Sequence, residues 1–122
     1  MKVRGIRGAV RVEANTRQAI RDAARRLLTE MVRANGVEPD DVAAVIFTCT
    51  QDLDAAFPAE AARSLGWDRV PLLCAQEMEV PDSLPQVLRV LMLVNTTLTQ
   101  EEVVHVYLGE AERLRPDLHS AQ

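Results

Sequence analysis

The chain has two cysteines, two histidines, one tryptophan, one tyrosine and two phenylalanines in 122 residues. Cys49 and Cys74 are too few for a disulfide framework and form no CxxC pair, so reduced thiols in a cytoplasmic protein are expected. His105 and His119 stand without an HExxH motif, a Cys/His cluster or an EF-hand loop, so no metal is expected. There is no GxGxxG or Walker loop; the two glycines of Arg4-Gly5-Ile6-Arg7-Gly8 open no helix. No Ser/His/Asp, Cys–His or His–Glu grouping suggests covalent or proton-transfer chemistry. No apolar run approaches the ~20 residues that cross a bilayer, and Met1-Lys2-Val3-Arg4-Gly5 lacks the apolar region of a signal peptide. Linkers, repeats and low-complexity stretches are missing too. A single domain over residues 1–122 is expected, with residues 115–122 as a mobile tail.

What is present is the mix of a globular chain: 48% apolar residues, 26% charged residues and a net charge of −4. The acidic balance argues against a nucleic-acid binder. Thirteen of the fourteen basic residues are Arg. Ile20, Ala23, Ala24, Leu27, Leu28, Met31 and Val32 recur at three- and four-residue steps, which predicts a helix with Thr16 as N-cap and Gly36 beyond its end. Arg17, Arg21, Arg25, Arg26 and Arg33 fall mostly on its other faces, so these arginines need no ligand.

Residues 2–12 read as a strand in which Gly5 and Gly8 mark a bend or a close backbone approach. Further strands are expected at Val42–Thr50, Val70–Cys74, Leu88–Val94 and Val103–Leu108. A short helix is expected at Pro58–Leu65, a helical turn after the capping box Thr99-Gln100-Glu101-Glu102, and another at Glu110–Leu114. The unbroken apolar run from Val42 suits a strand covered on both faces. The order β-α-β-α-β-β-(α)-β gives an α+β architecture with a five-stranded mixed sheet packed by one long helix and short ones. One long helix cannot cover such a sheet, so an oligomer is expected.

The residues that break this pattern are charged. Arg7 interrupts the first strand, Arg89 opens an apolar strand, Glu77 follows Cys74-Ala75-Gln76, Arg63 sits on the short helix, and Tyr107 lies near the last strand's end. Charges beside a buried sheet are costly unless paired. Two explanations stand. Either Arg89 and Glu77 form a structural ion pair and Arg7 caps a neighbouring carbonyl, or several Arg converge on a pocket for a small polyanion, with Glu77 as acceptor for a hydroxyl.

The blocks Val3-Arg4-Gly5-Ile6-Arg7-Gly8-Ala9, Asp52-Leu53-Asp54-Ala55-Ala56-Phe57-Pro58-Ala59 with Ala62-Arg63, Val70-Pro71 with Cys74-Ala75-Gln76-Glu77-Met78, Arg89-Val90, His105-Val106-Tyr107-Leu108 and Leu114-Arg115-Pro116-Asp117-Leu118 occur in one order and register. In these six blocks the chain resembles the monofunctional, AroH-type trimeric bacterial chorismate mutases, from residue 3 to about 118. The resemblance implies a Bacillus chorismate mutase-like fold assembled as a trimeric pseudo-barrel. It implies a Claisen-type 3,3 rearrangement of chorismate to prephenate, a step of phenylalanine and tyrosine biosynthesis that uses no cofactor or metal. By the same resemblance Arg89 donates to the ether oxygen and a carboxylate, Arg7 and Tyr107 bind the side-chain carboxylate, and Glu77 and Cys74 contact the ring hydroxyl. Phe57, Ala59 and Arg63 come from the neighbouring subunit, and Leu114 and Arg115 belong to a tail segment that orders over the pocket. Two departures stand out: Glu60 replaces a Lys of some members, and Leu73 replaces a small polar residue. Cys49 is read as core and His105 as structural. Two other classes, RidA-type imine deaminases and non-catalytic trimeric anion-binding modules, share the general frame but not these motifs.

Overall fold

The amphipathic stretch after Thr16 forms the long helix that its spacing predicts. In the computed structural model, which describes residues 1–109 and 111, helix α1 spans Arg17–Asn35. The Thr16 hydroxyl accepts a hydrogen bond from Ala19 N at 3.1 Å, satisfying one of the donors a helix start leaves over. At the other end Gly36 takes φ 60°, and Val37 N returns to Val32 O at 3.0 Å. A side chain at Gly36 would resist that left-handed turn. Ile20, Ala24, Leu27, Leu28 and Met31 are fully buried, whereas Arg17, Arg25, Arg26 and Arg33 are exposed.

The remaining elements are β1 (Lys2–Arg11), β2 (Val42–Cys49), α2 (Ala59–Ser64), β3 (Leu72–Gln76), β4 (Val87–Thr96) and β5 (Val106–Leu108), with one 3-10 turn at Pro39–Asp41. The strands form one mixed sheet in the order β3-β2-β4-β1-β5. β4 is antiparallel to both β1 and β2, and the two edge strands are parallel to their neighbours. α1 packs on β1 and on α2. The approach is closest at Gly8, where a Cβ would stand 2.5 Å from Met31 Sδ and 3.0 Å from Leu27 Cδ1.

The apolar strands turn out to be two-sided in a different way from the expected double cover. In β4, Leu88, Val90, Met92 and Val94 are buried under the helices, while Arg89, Leu91 and Leu93 alternate with them half-exposed. β2 follows suit: Val45, Phe47 and Cys49 are covered, Ala44, Ile46 and Thr48 are half-open. A register shift between Val42 and Ala44 hides this alternation at the start of β2. The chain's own helices therefore cover one face of the sheet.

Some boundaries move for identifiable reasons. β3 begins at Leu72 instead of Val70. Pro71 has no N–H and contributes only its carbonyl, which accepts Val45 N at 3.0 Å. β5 begins at Val106 instead of Val103. Ahead of it, the backbone of Val104 pairs with a side chain: Asn35 Nδ2 donates to Val104 O and Val104 N donates to Asn35 Oδ1, both at 2.8 Å. The capping box forms, with Thr99 N donating to Glu102 Oε1 at 2.8 Å and Glu102 N to Thr99 Oγ1 at 3.2 Å. Only a turn follows it, because the chain must bring Val103 into the core. The turn expected at Glu110–Leu114, apart from Ala111, and the tail from residue 115 lie outside the described residues.

Candidate active site

The sheet register builds a row of side chains on the half-open face. Arg89 of β4 stands opposite Ala9 of β1 and Thr48 of β2; Ala9 pairs in turn with Tyr107 of β5, and Thr48 with Ala75 of β3. One line across all five strands therefore reads Ala75, Thr48, Arg89, Ala9, Tyr107. Residues two apart share a face, so Arg7 joins the same face one step along β1, in the row Arg7, Leu91, Ile46, Leu73. Ala9 is fully buried. Its small side chain is the floor between two large polar ones, Arg89 and Tyr107.

Glu77 enters this face from beyond the end of β3. Its N–H donates to Cys49 O at 2.9 Å, extending the β2–β3 pairing by one bond. Its carboxylate oxygen Oε2 lies 3.2 Å from Arg89 Nε and accepts the Thr48 hydroxyl at 2.8 Å. One of the two explanations is met directly: Arg89 and Glu77 form an ion pair. Arg7 adds a second guanidinium to the same face. A cavity of about 270 Å³ is lined by Arg7, Ala9, Ile46, Thr48, Arg89 and Tyr107, among others. That volume suits a small ligand or part of a shared cleft.

Arg7 is held through its backbone. Its N–H donates to His105 Nδ1 at 2.9 Å, which requires that nitrogen to be unprotonated. Burial, with the nearby Arg7 charge second, pushes the His105 pKa below its ordinary value. His105 thus anchors β1 beside β5 as a neutral imidazole, in agreement with its expected structural role.

The other expected site residues lie elsewhere in the chain. Cys74 pairs with Phe47, on the helix-covered face, and lines a second cavity of about 640 Å³ with Cys49 and Phe57. The structure does not bring the Cys74 thiol to Arg89. This larger cavity holds no convergent cations: its Arg17 is paired with Glu60 at 3.1 Å. Charge rather than size therefore selects the smaller cavity. Phe57 is 69% exposed and Arg63 is exposed, whereas Ala59 is buried in the core. Within one chain these three do not reach the arginine row. Leu114 and Arg115 lie outside the described residues. Cys49 is core, its thiol pushed up to about 12 first by burial, then by Cys74, Glu77 and Asp52. Among the described residues, no group of three or more His, Cys, Asp or Glu is placed to hold a metal ion.

Three supporting residues were given no role from the sequence. Thr48 is the lone hydroxyl of the open face of β2, and a polar residue inside an apolar run was the signal for it. Asn15 ties down the loop before Phe57: its Oδ1 accepts Asp54 N and Ala55 N at 3.0 Å each, and its Nδ2 donates to Asp54 at 2.7 Å. Asp52 accepts Gln86 N through both carboxylate oxygens, at 3.1 and 3.0 Å, and so holds Gln86 at φ 55° ahead of β4.

The model of the family chorismate mutase type I matches residues 3–118. A protein named chorismate mutase AroH from Thermus thermophilus is 61% identical over 121 residues, covering 98% of this chain and 99% of that one. Its namesake from Bacillus subtilis (strain 168) is 44% identical over 119 residues, covering 97% and 94%. A solved chorismate mutase from Clostridium thermocellum superposes with a TM-score of 0.89 at 47% identity, over 90% of this chain and 98% of that structure.

Proposed function

We propose how this chain, which belongs to the chorismate mutase type I family, carries out the rearrangement of chorismate to prephenate. The chain is an isomerase, and its substrate is a small dicarboxylate with a ring hydroxyl and an ether oxygen. The reaction breaks a C–O bond and forms a C–C bond within one molecule. No proton, nucleophile or electron has to be supplied. Two contributions remain for the protein. It can hold the compact conformer in which the two termini meet, and it can stabilise the negative charge that grows on the ether oxygen.

The observation that carries this reading is the gathering of Arg7, Arg89 and Tyr107 around Ala9 on the half-open face, with Glu77 beside Arg89. Arg89 donates to the ether oxygen and to a carboxylate. It sits on the most interior strand of the site, so its guanidinium pays little reorganisation as charge develops. Arg7 and Tyr107 take the side-chain carboxylate, and the Glu77 carboxylate accepts the ring hydroxyl. With the Cys74 side chain on the covered face, any contact from that residue to the hydroxyl comes through its backbone.

A homotrimer completes the pocket in this reading. The half-open face and the exposed Phe57 are surfaces that a neighbouring copy would bury. Phe57, Ala59 and Arg63 of one subunit then border the arginine row of the next, Ala59 through its backbone because its methyl is in the core. Glu60, itself a carboxylate and paired with Arg17, supplies no cation for a substrate carboxylate. No described helix is long and apolar enough to cross a membrane, and a cytoplasmic location accords with the two unpaired cysteines.

The test is the ultraviolet loss of chorismate, with prephenate identified as product and Arg89→Ala assayed alongside. Loss of one preorganised donor to a developing oxyanion costs ~10²–10³ in rate. Wild-type conversion with a loss of at least that size in Arg89→Ala is expected. Near wild-type turnover by Arg89→Ala would refute the assignment. Sedimentation at about three times 13.5 kDa is expected of the trimer.

A further inference from the structure

We propose that Thr48 is a positioning residue for the rearrangement, acting through Glu77; the proposal rests on the role given to Glu77 above. Thr48 and Arg89 meet the same carboxylate oxygen, at 2.8 Å from the hydroxyl and 3.2 Å from Nε. Thr48 is also the direct cross-strand neighbour of Arg89. Hydroxyl, guanidinium and carboxylate thus form a triangle whose two fixed corners belong to adjacent central strands.

The triangle solves a specific problem. Glu77 lies past the end of an edge strand, and its backbone is tied to the sheet through its N–H to Cys49 O. Its side chain has three rotatable bonds. Left to Arg89 alone, a carboxylate prefers to dock both oxygens on the guanidinium fork. That docking would occupy the donors needed by the ether oxygen and remove the acceptor needed by the ring hydroxyl. The Thr48 hydroxyl holds Oε2 in place, confines Arg89 to a single contact through Nε, and leaves Oε1 for the substrate. Thr48 is suited to this because its β-branch limits χ1 and its backbone sits in the middle of the sheet.

The experiment is a double-mutant cycle on the full chain with chorismate as substrate. Thr48→Val preserves shape and removes the hydroxyl; Thr48→Ser restores it. Hydrogen bonds to charged groups are the stronger class, so Thr48→Val should lower kcat/KM roughly 10-fold, with Thr48→Ser recovering most of the loss. In a Glu77→Ala background, Thr48→Val should change kcat/KM by less than about 2-fold, because a residue that acts through Glu77 has nothing left to position. The melting temperature of Thr48→Val should stay close to that of wild type. An equal loss in both backgrounds, or full activity of Thr48→Val, would overturn the proposal. Wild-type turnover by Glu77→Ala would overturn the role of the carboxylate, and that of Thr48 with it.

Discussion

Replacing Asn35 by Ala should unfasten the edge of the site from the end of α1. Asn35 is the one buried polar side chain among the described residues, 8% exposed, and makes three hydrogen bonds. The bond from Nδ2 to Met31 O, at 2.9 Å, is local to the helix. The other two hold both backbone groups of Val104, as a neighbouring strand would. Alanine leaves that N–H and C=O without their partner. Each unsatisfied buried group costs ~1–3 kcal/mol, and the exposure of Val104 lets water reduce this toward the lower end. Alanine returns roughly 0.5 kcal/mol through its better helix propensity. The net is a loss of about 2 kcal/mol, or roughly 8 °C in melting temperature for a domain of this size. Because the protein is proposed to be oligomeric, urea or thermal unfolding should be compared at one protein concentration. Tyr107 lies three residues beyond Val104, so kcat/KM should fall as well. A melting temperature within 2 °C of wild type would refute the reading of Asn35 as a surrogate strand.

Arg89→Lys keeps the charge and loses the fork, so steady-state assays should place it nearer Arg89→Ala than wild type. His105 is held neutral in the folded chain, with its pKa below the ordinary value, so the unfolded chain binds the proton first. Stability should therefore be full above about pH 6.5, fall as pH drops from there to the lowered folded value, and level off below it. Urea midpoints across this range should show the fall in wild type and a shallower one in His105→Gln; equal slopes would refute it. Chorismate turnover, which moves no proton, should stay flat through neutral pH. Gly8→Ala should cost ~1–3 kcal/mol by overpacking against Met31 and Leu27, and Met31→Ala in the same chain should relieve part of the cost in a denaturation cycle. Cys49, buried and with its pKa raised to about 12, should resist iodoacetamide at pH 8 until the protein is unfolded, as peptide mapping would show.

Much of the fold was legible because its periods are strong. The helical spacing from Ile20 to Val32 and the caps at Thr16 and Gly36 located α1 closely. Gly8 was flagged as a close approach, and the helix does pack there. The charges that break the strands, Arg7, Arg89 and Glu77, do gather on one face of the sheet, where the candidate site is placed. What the sequence concealed depends on pairing between distant segments. The family resemblance made Cys74 a site residue, but only the parallel register with β2 reveals that its side chain lies on the covered face. Asn35 reads as a helix-ending residue; nothing local says that it completes the backbone bonding of Val104. The β2 run looks uniformly apolar because a register shift at its start and three small or hydroxylated residues mask a period of two.

The arginine row and the hydrophobic core are alternate residues of the same strands. Val90 and Leu88 are buried because Arg89 is not, and Val10 and Gly8 lie under α1 because Ala9 and Arg7 do not. Slippage of β4 by one residue against its neighbours would carry Arg89 into the core and turn Leu88 and Val90 onto the half-open face. Such a slip loses the burial of several large side chains and desolvates a guanidinium, so it is rejected on stability alone. Alignment errors that would disarm the enzyme are therefore also errors that would unfold it. Any population of folded chains is, for that reason, already sorted for a correctly aimed Arg89.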